Sequence, residues 1–277
     1  MLFLGKYNEL TIERLTSVGL YLSEPEGAEV LLPNKYVTED MQVGETTRVF
    51  VYKDSEDRPV ATTQTPKLLR NEFGYLAVKE VNSYGAFLDW GLEKDLFVPY
   101  SEQVTPMRAG ESYIVFLYLD RRTDRLLATA KWRQNLDNER LLVQEGDEVE
   151  LLVAERTDLG YNVIINNYHI GLVFYNDVFK KVTVGQRTTG YVRTIRDGNK
   201  IDVSLEKIGY EKTEGHADRI YELLKSNGGF LALNDTSSPE EIERALEMSK
   251  KNFKKAIGGL YKKGVITLEQ EGIRLVR

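Results

Sequence analysis

Up to Leu205 the chain alternates apolar and polar residues in runs too short for helices. Leu76–Val81 alternates, Ala86–Trp90 follows after a glycine, and Asp95–Val98 forms a third short run. A polar stretch containing Pro106 leads to Ser112–Leu119 and Arg125–Ala130, which flank the turn-like segment Asp120–Asp124. This pattern predicts five short strands in about 60 residues, with the longest break between the third and fourth. That is the layout of an OB-fold barrel, whereas a sandwich needs more strands and more chain.

The pattern occurs three times. Gly19 in VGLYL, Gly85 in YGAFL and Gly160 in LGYNV each precede a second glycine by 25 residues: Gly44, Gly110 and Gly185. Pro33, Pro99 and Phe174 stand 14 residues after the first glycine, and each unit closes on a strand-like run at 59–63, 126–130 or 201–205. A repeat of about 65 residues predicts tandem barrels at 1–65, 66–133 and 134–209. Residues 133–146 link the second to the third and are expected to form one or two helical turns.

After Leu205 the period changes. Gly215–Asn227 carries Ile220, Leu223 and Leu224 at helical spacing and stops at Gly228-Gly229, and Phe230–Leu233 reads as a short strand. Ser238-Pro239-Glu240-Glu241 combines an N-cap serine, a proline at the first helical position and a glutamate at the third, so a helix should run through Ile242 and Leu246. Ser249 caps a further helix with Phe253, Ile257, Leu260 and Tyr261 on one face, ending near Gly264. Val265–Leu268 and Ile273–Val276 flank Glu271-Gly272 as a hairpin. Helix, strand, helix, helix, hairpin is the order of a winged helix, expected at 210–277. The fold class is mainly β with a C-terminal α+β domain: three five-stranded barrels, then a winged helix.

Charge and composition narrow the function. A net charge of −6 and a pI of about 5.3 argue against a generally basic coat for nucleic acid. The acid is uneven: residues 1–65 carry 6 cations and 11 anions (net −5), 66–133 carry 10 and 9 (+1), 134–207 carry 9 and 12 (−3), and 208–277 carry 12 and 11 (+1). The absence of cysteine removes disulfides, thiolate metal sites and cysteine nucleophiles. His169 and His216 stand 47 residues apart, so no His-rich metal site is expected, and no cofactor. The apolar start is ended by Lys6 and Glu9, and no run approaches the roughly 18 apolar residues of a membrane span. A soluble cytoplasmic protein without a membrane partner is expected. Hydrolysis would need clustered carboxylates or a histidine acid and base. The acids are scattered (Glu24, Glu26 and Glu29; Asp147, Glu148 and Glu150), so the reading is non-catalytic.

The second unit carries a recognisable signature: Tyr84-Gly85-Ala86-Phe87, then Phe97-Val98-Pro99-Tyr100-Ser101-Glu102, then Gly110-Glu111, then Asp120 and Arg125-Leu126-Leu127-Ala128-Thr129. It resembles the S1 RNA-binding domain. The first unit keeps Gly19, Tyr21, Gly44, Asp54 and Arg58, and a position where that family often has histidine reads Pro33, Pro99 and Phe174. The resemblance implies single-stranded RNA as partner, held by stacking of bases on aromatic rings with cations along the phosphates. The residues that would do this are Tyr84, Phe87, Asp120, Arg121, Arg122 and Arg125 in the second unit, Tyr21 and Arg58 in the first, and Tyr161, Phe174 and Lys200 in the third. Tyr84 and Phe87 would lie on opposite faces of a regular strand, and the intervening glycine permits a bulge that brings both to one surface. The same aromatics also suit barrel cores, and Arg121–Arg125 also suits a solvated turn.

Three such units and a winged helix are similar in order to the bacterial conserved virulence factor B (CvfB) family. That resemblance implies RNA-binding proteins that influence expression of virulence and other genes, hence post-transcriptional regulation. The last long helix carries Lys250, Lys251, Lys254 and Lys255, with Lys262 and Lys263 beyond them, which suits phosphate contact. It offers only Asn252 for reading adenine, and the wing Glu269-Gln270-Glu271-Gly272 is acidic. A winged-helix DNA-binding transcription regulator is the alternative, and DNA and the ribosome remain further partners that the sequence does not separate from RNA.

Overall fold

The computed structural model describes residues 1–178, 181–206 and 211–276, so the expected junction at 209–210 lies outside the described residues. The chain divides into two compact units, Met1–Leu136 and Asp137–Arg277. No helix among the described residues is long and apolar enough to cross a membrane.

In the first unit, β1 (Lys6–Thr16), β2 (Gly19–Ser23), β3 (Glu29–Pro33), β4 (Thr46–Lys53) and β5 (Pro59–Thr62) close a barrel in the order β1-β2-β3-β5-β4. A single-turn 3-10 helix, Asn34–Tyr36, fills the long break after β3. The next strands repeat the design: β6 (Phe73–Val81), β7 (Gly85–Leu88), β8 (Leu96–Pro99), β9 (Ser112–Asp120) and β10 (Arg125–Thr129), with a 3-10 turn at Tyr100–Glu102. Here the hydrogen-bonded order is β10-β9-β6-β7-β8, and β8 curls round to lie beside β10.

The repeated glycine is required by a close approach. In register, Gly19 faces Pro33, Gly85 faces Pro99 and Gly160 faces Phe174. A Cβ on Gly85 would sit 2.2 Å from the Val98 carbonyl oxygen, and Gly19 and Gly160 are equally tight, at 2.1 Å from Leu32 O and 2.0 Å from Val173 O. Backbone cannot yield as a side chain can. Gly85→Ala is therefore expected to destabilise the second barrel by about 2–3 kcal/mol, read as a lower urea midpoint of tryptophan fluorescence. An unchanged midpoint would mean that the β7–β8 hairpin opens without cost.

The two barrels share a core. Phe50, Tyr52 and Val60 of the first lie in the same buried cluster as Leu76, Val78, Leu88, Trp90 and Leu117 of the second. The Trp90 ring meets Phe50 edge-on at 5.8 Å and Tyr52 at 6.2 Å.

The second unit begins with the linker. Among the described residues its helical part is one 3-10 turn at Trp132–Asn135, just before the division, where one or two helical turns are expected over 133–146. The rest is held extended by side chains. His169, fully buried, accepts from the Leu142 amide through Nε2 at 3.0 Å and has Nδ1 2.5 Å from the Asp137 carbonyl oxygen. Those partners fix the tautomer with the proton on Nδ1. Asn138 donates to the carbonyls of Ile170 and Asn199. The third barrel, β11 (Glu148–Arg156), β12 (Gly160–Ile165), β13 (His169–Phe174), β14 (Arg187–Arg196) and β15 (Lys200–Ser204), is closed in the order of the first.

The winged helix follows as α1 (Glu211–Ser226), β16 (Phe230–Leu231), α2 (Pro239–Leu246), α3 (Lys250–Lys262), β17 (Ile266–Glu269) and β18 (Gly272–Leu275). Its three strands pair as β16-β18-β17. The Ser238 hydroxyl accepts from the Glu241 amide and the Glu241 carboxylate from the Ser238 amide, the capping box that the sequence predicts. α1 starts four residues earlier than the apolar spacing suggests, because its first turn, Glu211-Lys212-Thr213-Glu214, is polar and leaves no periodic mark. Ile220, Leu224, Ile242, Leu246, Phe253, Ile257 and Ile273 form the core.

Candidate nucleic-acid interface

On the second barrel, alternation in β8 turns Leu96 and Val98 inward and leaves Phe97 on the outer surface. Cross-strand register sets Phe97 opposite Phe87, and their rings lie 5.0 Å apart at 32°. Tyr84 is not on the strand. It precedes β7 in a turn where its amide donates to Asn82 Oδ1 at 2.9 Å, and its ring is 75% exposed. Leaving the strand brings Tyr84 and Phe87 to one groove. The bulge lies in the neighbouring strand, between Val78 and Glu80, and not at Gly85.

The groove has a volume of about 600 Å³, and Tyr84, Phe87 and Phe97 line it together with Tyr52, Asp57, Lys94, Asp120, Arg122 and Arg125. Its charges are largely matched. Arg125 is ion-paired with Asp57 of the first barrel, which holds the Asp57 carboxyl below the usual carboxylate range. Lys94 donates to the Asp54 carbonyl at 2.6 Å and lies 3.7 Å from Asp57 Oδ1. Burial lowers the Lys94 pKa, with Asp57 opposing. Asp120 accepts from the Thr123 hydroxyl at 2.6 Å and the Arg122 amide at 3.2 Å, and the first of these does most to keep it ionised. Arg121 and Arg122 are exposed, and no ion pair engages their guanidinium groups among the described residues.

The other barrels dispose the equivalent positions differently. The residue before the glycine is exposed in all three, but it is Val18 in the first and Leu159 in the third. Two residues after the glycine, the outward position is Tyr21 in the first barrel, Phe87 in the second and Asn162 in the third. Tyr21 carries the Arg14 guanidinium 4.2 Å from its ring centroid, and Arg14 is bidentate to Glu29 at 2.5 and 2.8 Å. Arg58 is bound to Asp54 and Glu56 at 2.8 and 2.9 Å. Tyr161 takes the register position that is buried in the other barrels as Leu20 and Ala86, packs against the third core, and meets Tyr175 edge-on at 5.5 Å. Phe174 lies under Arg196, 5.6 Å away, which Asp202 holds at 2.7 Å. Lys200 is exposed at the start of β15.

On α3, Phe253, Ala256, Ile257 and Leu260 face the core and Lys251, Lys254 and Lys255 face solvent, while Lys250 reaches back to the Thr236 carbonyl at 3.4 Å. On the wing, Glu269 pairs with Arg274 at 2.7 Å, which removes part of the acidity that the sequence suggests. Sequence reasoning missed Phe97, Tyr52, Asp57 and Lys94 as groove residues. Alternation along Leu96-Phe97-Val98 could have marked Phe97, whereas the other three required the packing of the barrels.

An S1 domain family model matches residues 4–64 and 73–131, and a CvfB-like winged helix domain model matches residues 218–275. "Uncharacterized protein YitL" of Bacillus subtilis is 27% identical over 278 residues, covering 96% of this chain and 91% of that protein. "Conserved virulence factor B" of Staphylococcus saprophyticus is 26% identical over 290 residues, covering 96% and 94%. A crystal structure of a multidomain protein with nucleic acid binding domains from Streptococcus pneumoniae is 25% identical, covers 99% of this chain and 98% of that one, and has a TM-score of 0.43. With S1 domains in its first two barrels, a CvfB-like winged helix domain at its end and similarity along almost its whole length to proteins named Conserved virulence factor B, the chain is a CvfB-like protein whose domains are of the nucleic-acid-binding type.

Proposed function

We propose that this protein is a non-catalytic binder of single-stranded RNA that works in the cytoplasm as a post-transcriptional regulator, including of virulence genes. The observation that carries the reading is the groove of the second barrel, where the exposed Tyr84 and the Phe87–Phe97 pair stand beside Arg122. Aromatic faces next to cations are what unpaired bases and their phosphates require. The relatives named Conserved virulence factor B support the link to virulence. Several modest sites on one chain gain affinity through effective concentration.

The test is a titration of fluorescent single-stranded RNA at two salt concentrations. Failure of the full chain to bind at low salt would sink the reading. The lysine face of α3 motivates a second one, a winged-helix transcription regulator, for which a preference for one duplex over single strands would count. A variant with Lys250, Lys251, Lys254 and Lys255 changed to Ala is expected to keep stacking but flatten the salt dependence, by up to about 0.7 in the log–log slope for each lysine that meets a phosphate. Complete loss of binding in that variant, with Tyr84→Ala/Phe87→Ala unaffected, would favour the duplex reading.

A further inference from the structure

The first barrel repeats the fold of the second, yet the two residues that its motif offers to RNA, Tyr21 and Arg58, are already engaged. Tyr21 lies under Arg14, Arg14 is held by Glu29, and Arg58 is held by Asp54 and Glu56. The exposed position before its glycine is Val18, which offers no stacking face, and residues 1–65 carry a net charge of −5 from 6 cations and 11 anions. The β4–β5 turn of this barrel meanwhile reaches the groove of its neighbour. Tyr52, Lys53, Ser55 and Asp57 line that groove, Lys53 pairs with Asp124 at 2.8 Å, and Asp57 pairs with Arg125.

Building on the RNA reading above, we infer that the first barrel is not a separate RNA site but a wall of the second barrel's site, in which the Asp57 carboxylate occupies Arg125 as a phosphate would and so limits how tightly the groove holds RNA. A carboxylate and a phosphate oxygen make the same charge-assisted bond to a guanidinium. The pair is solvent-exposed, with side chains 55% and 36% accessible, so it is weak and exchangeable. Lys94, 3.7 Å from Asp57, remains as a partner for the carboxylate when Arg125 turns to RNA. The first barrel thereby acts as a competitor built into the site, and Arg121 and Arg122 are left to make the first phosphate contacts.

The experiment compares the full chain with Asp57→Asn, Tyr21→Leu and Tyr84→Ala/Phe87→Ala, using an unstructured fluorescein-labelled single-stranded RNA across a salt series. Asp57 has φ 62°, a left-handed conformation that asparagine also accepts, so Asp57→Asn removes the charge without straining the turn. Asp57→Asn is expected to tighten binding about two- to fivefold at low salt and to steepen the log–log salt slope by about 0.7, the share of one freed cation. Tyr21→Leu is expected to leave affinity unchanged. Unchanged or weaker binding by Asp57→Asn beside a weakened aromatic variant overturns this inference alone. So does a loss in Tyr21→Leu as large as that in the aromatic variant. Full affinity in the aromatic variant overturns the groove as the site, and this inference with it.

Discussion

Tyr84→Ala/Phe87→Ala is expected to bind single-stranded RNA about ten- to a hundredfold more weakly than the wild type, with the salt slope unchanged. Each base–aromatic stack contributes roughly 1–3 kcal/mol, and about 1.4 kcal/mol is a factor of ten in affinity. Tyr84 is 75% exposed and off the strand, so its truncation removes a platform and little packing. Phe87 is half-buried against Phe97, which keeps its place and retains part of the stacking surface, so the two losses should not add in full. Neither substitution alters a cation, and counterion release should therefore be untouched. Fluorescence anisotropy over a salt series reads both quantities at once. Wild-type affinity in the variant would remove the groove from consideration. A slope that fell together with affinity would mean that Arg122 or Arg125 had been displaced, and that stacking was not what had been measured.

The barrels were legible because the features that build them are local. Alternation marks the strands, and a glycine is compulsory where β2 passes within contact of the end of β3, so the same period returns as Gly19, Gly85 and Gly160. The capping box at Ser238 is likewise a four-residue signal with a fixed geometric meaning. The site was legible only in part. Tyr84 and Phe87 could be named from the motif, but that Phe97 completes the pair depends on the register of β7 against β8. Tyr161 was drawn from the motif too, and its register with Val173 turns it toward the third core. Arg125 and Arg58 read in sequence as cations available to phosphate, and only folding reveals Asp57 on the one and Asp54 with Glu56 on the other. Pairings between barrels depend on which faces meet, and no local pattern encodes that.

Phe50→Ala is expected to lower the stability of both barrels of the first unit together, by about 3–5 kcal/mol. Phe50 is fully buried on β4 of the first barrel, but its ring belongs to the cluster centred on the second, against Trp90 and Tyr52. Removing it leaves a cavity that neither barrel can fill alone. The chain has two tryptophans, Trp90 and Trp132, and both lie within Met1–Leu136, so tryptophan fluorescence follows this unit. With an unfolding slope of about 2 kcal/mol per molar urea, the fluorescence midpoint should fall by about 2 M. Because Phe50 touches Trp90 directly, a distant control is needed. Leu32, fully buried in the first barrel's own cluster, supplies it. Leu32→Ala should move the same single transition by an amount in keeping with about 2–5 kcal/mol, although it lies outside the cluster that holds Trp90. A Trp90 transition left in place by Leu32→Ala would mean that the barrels unfold separately. The groove would then lack the rigid wall that the β4–β5 turn supplies, since Asp57 can hold Arg125 in register only while the first barrel is folded against the second.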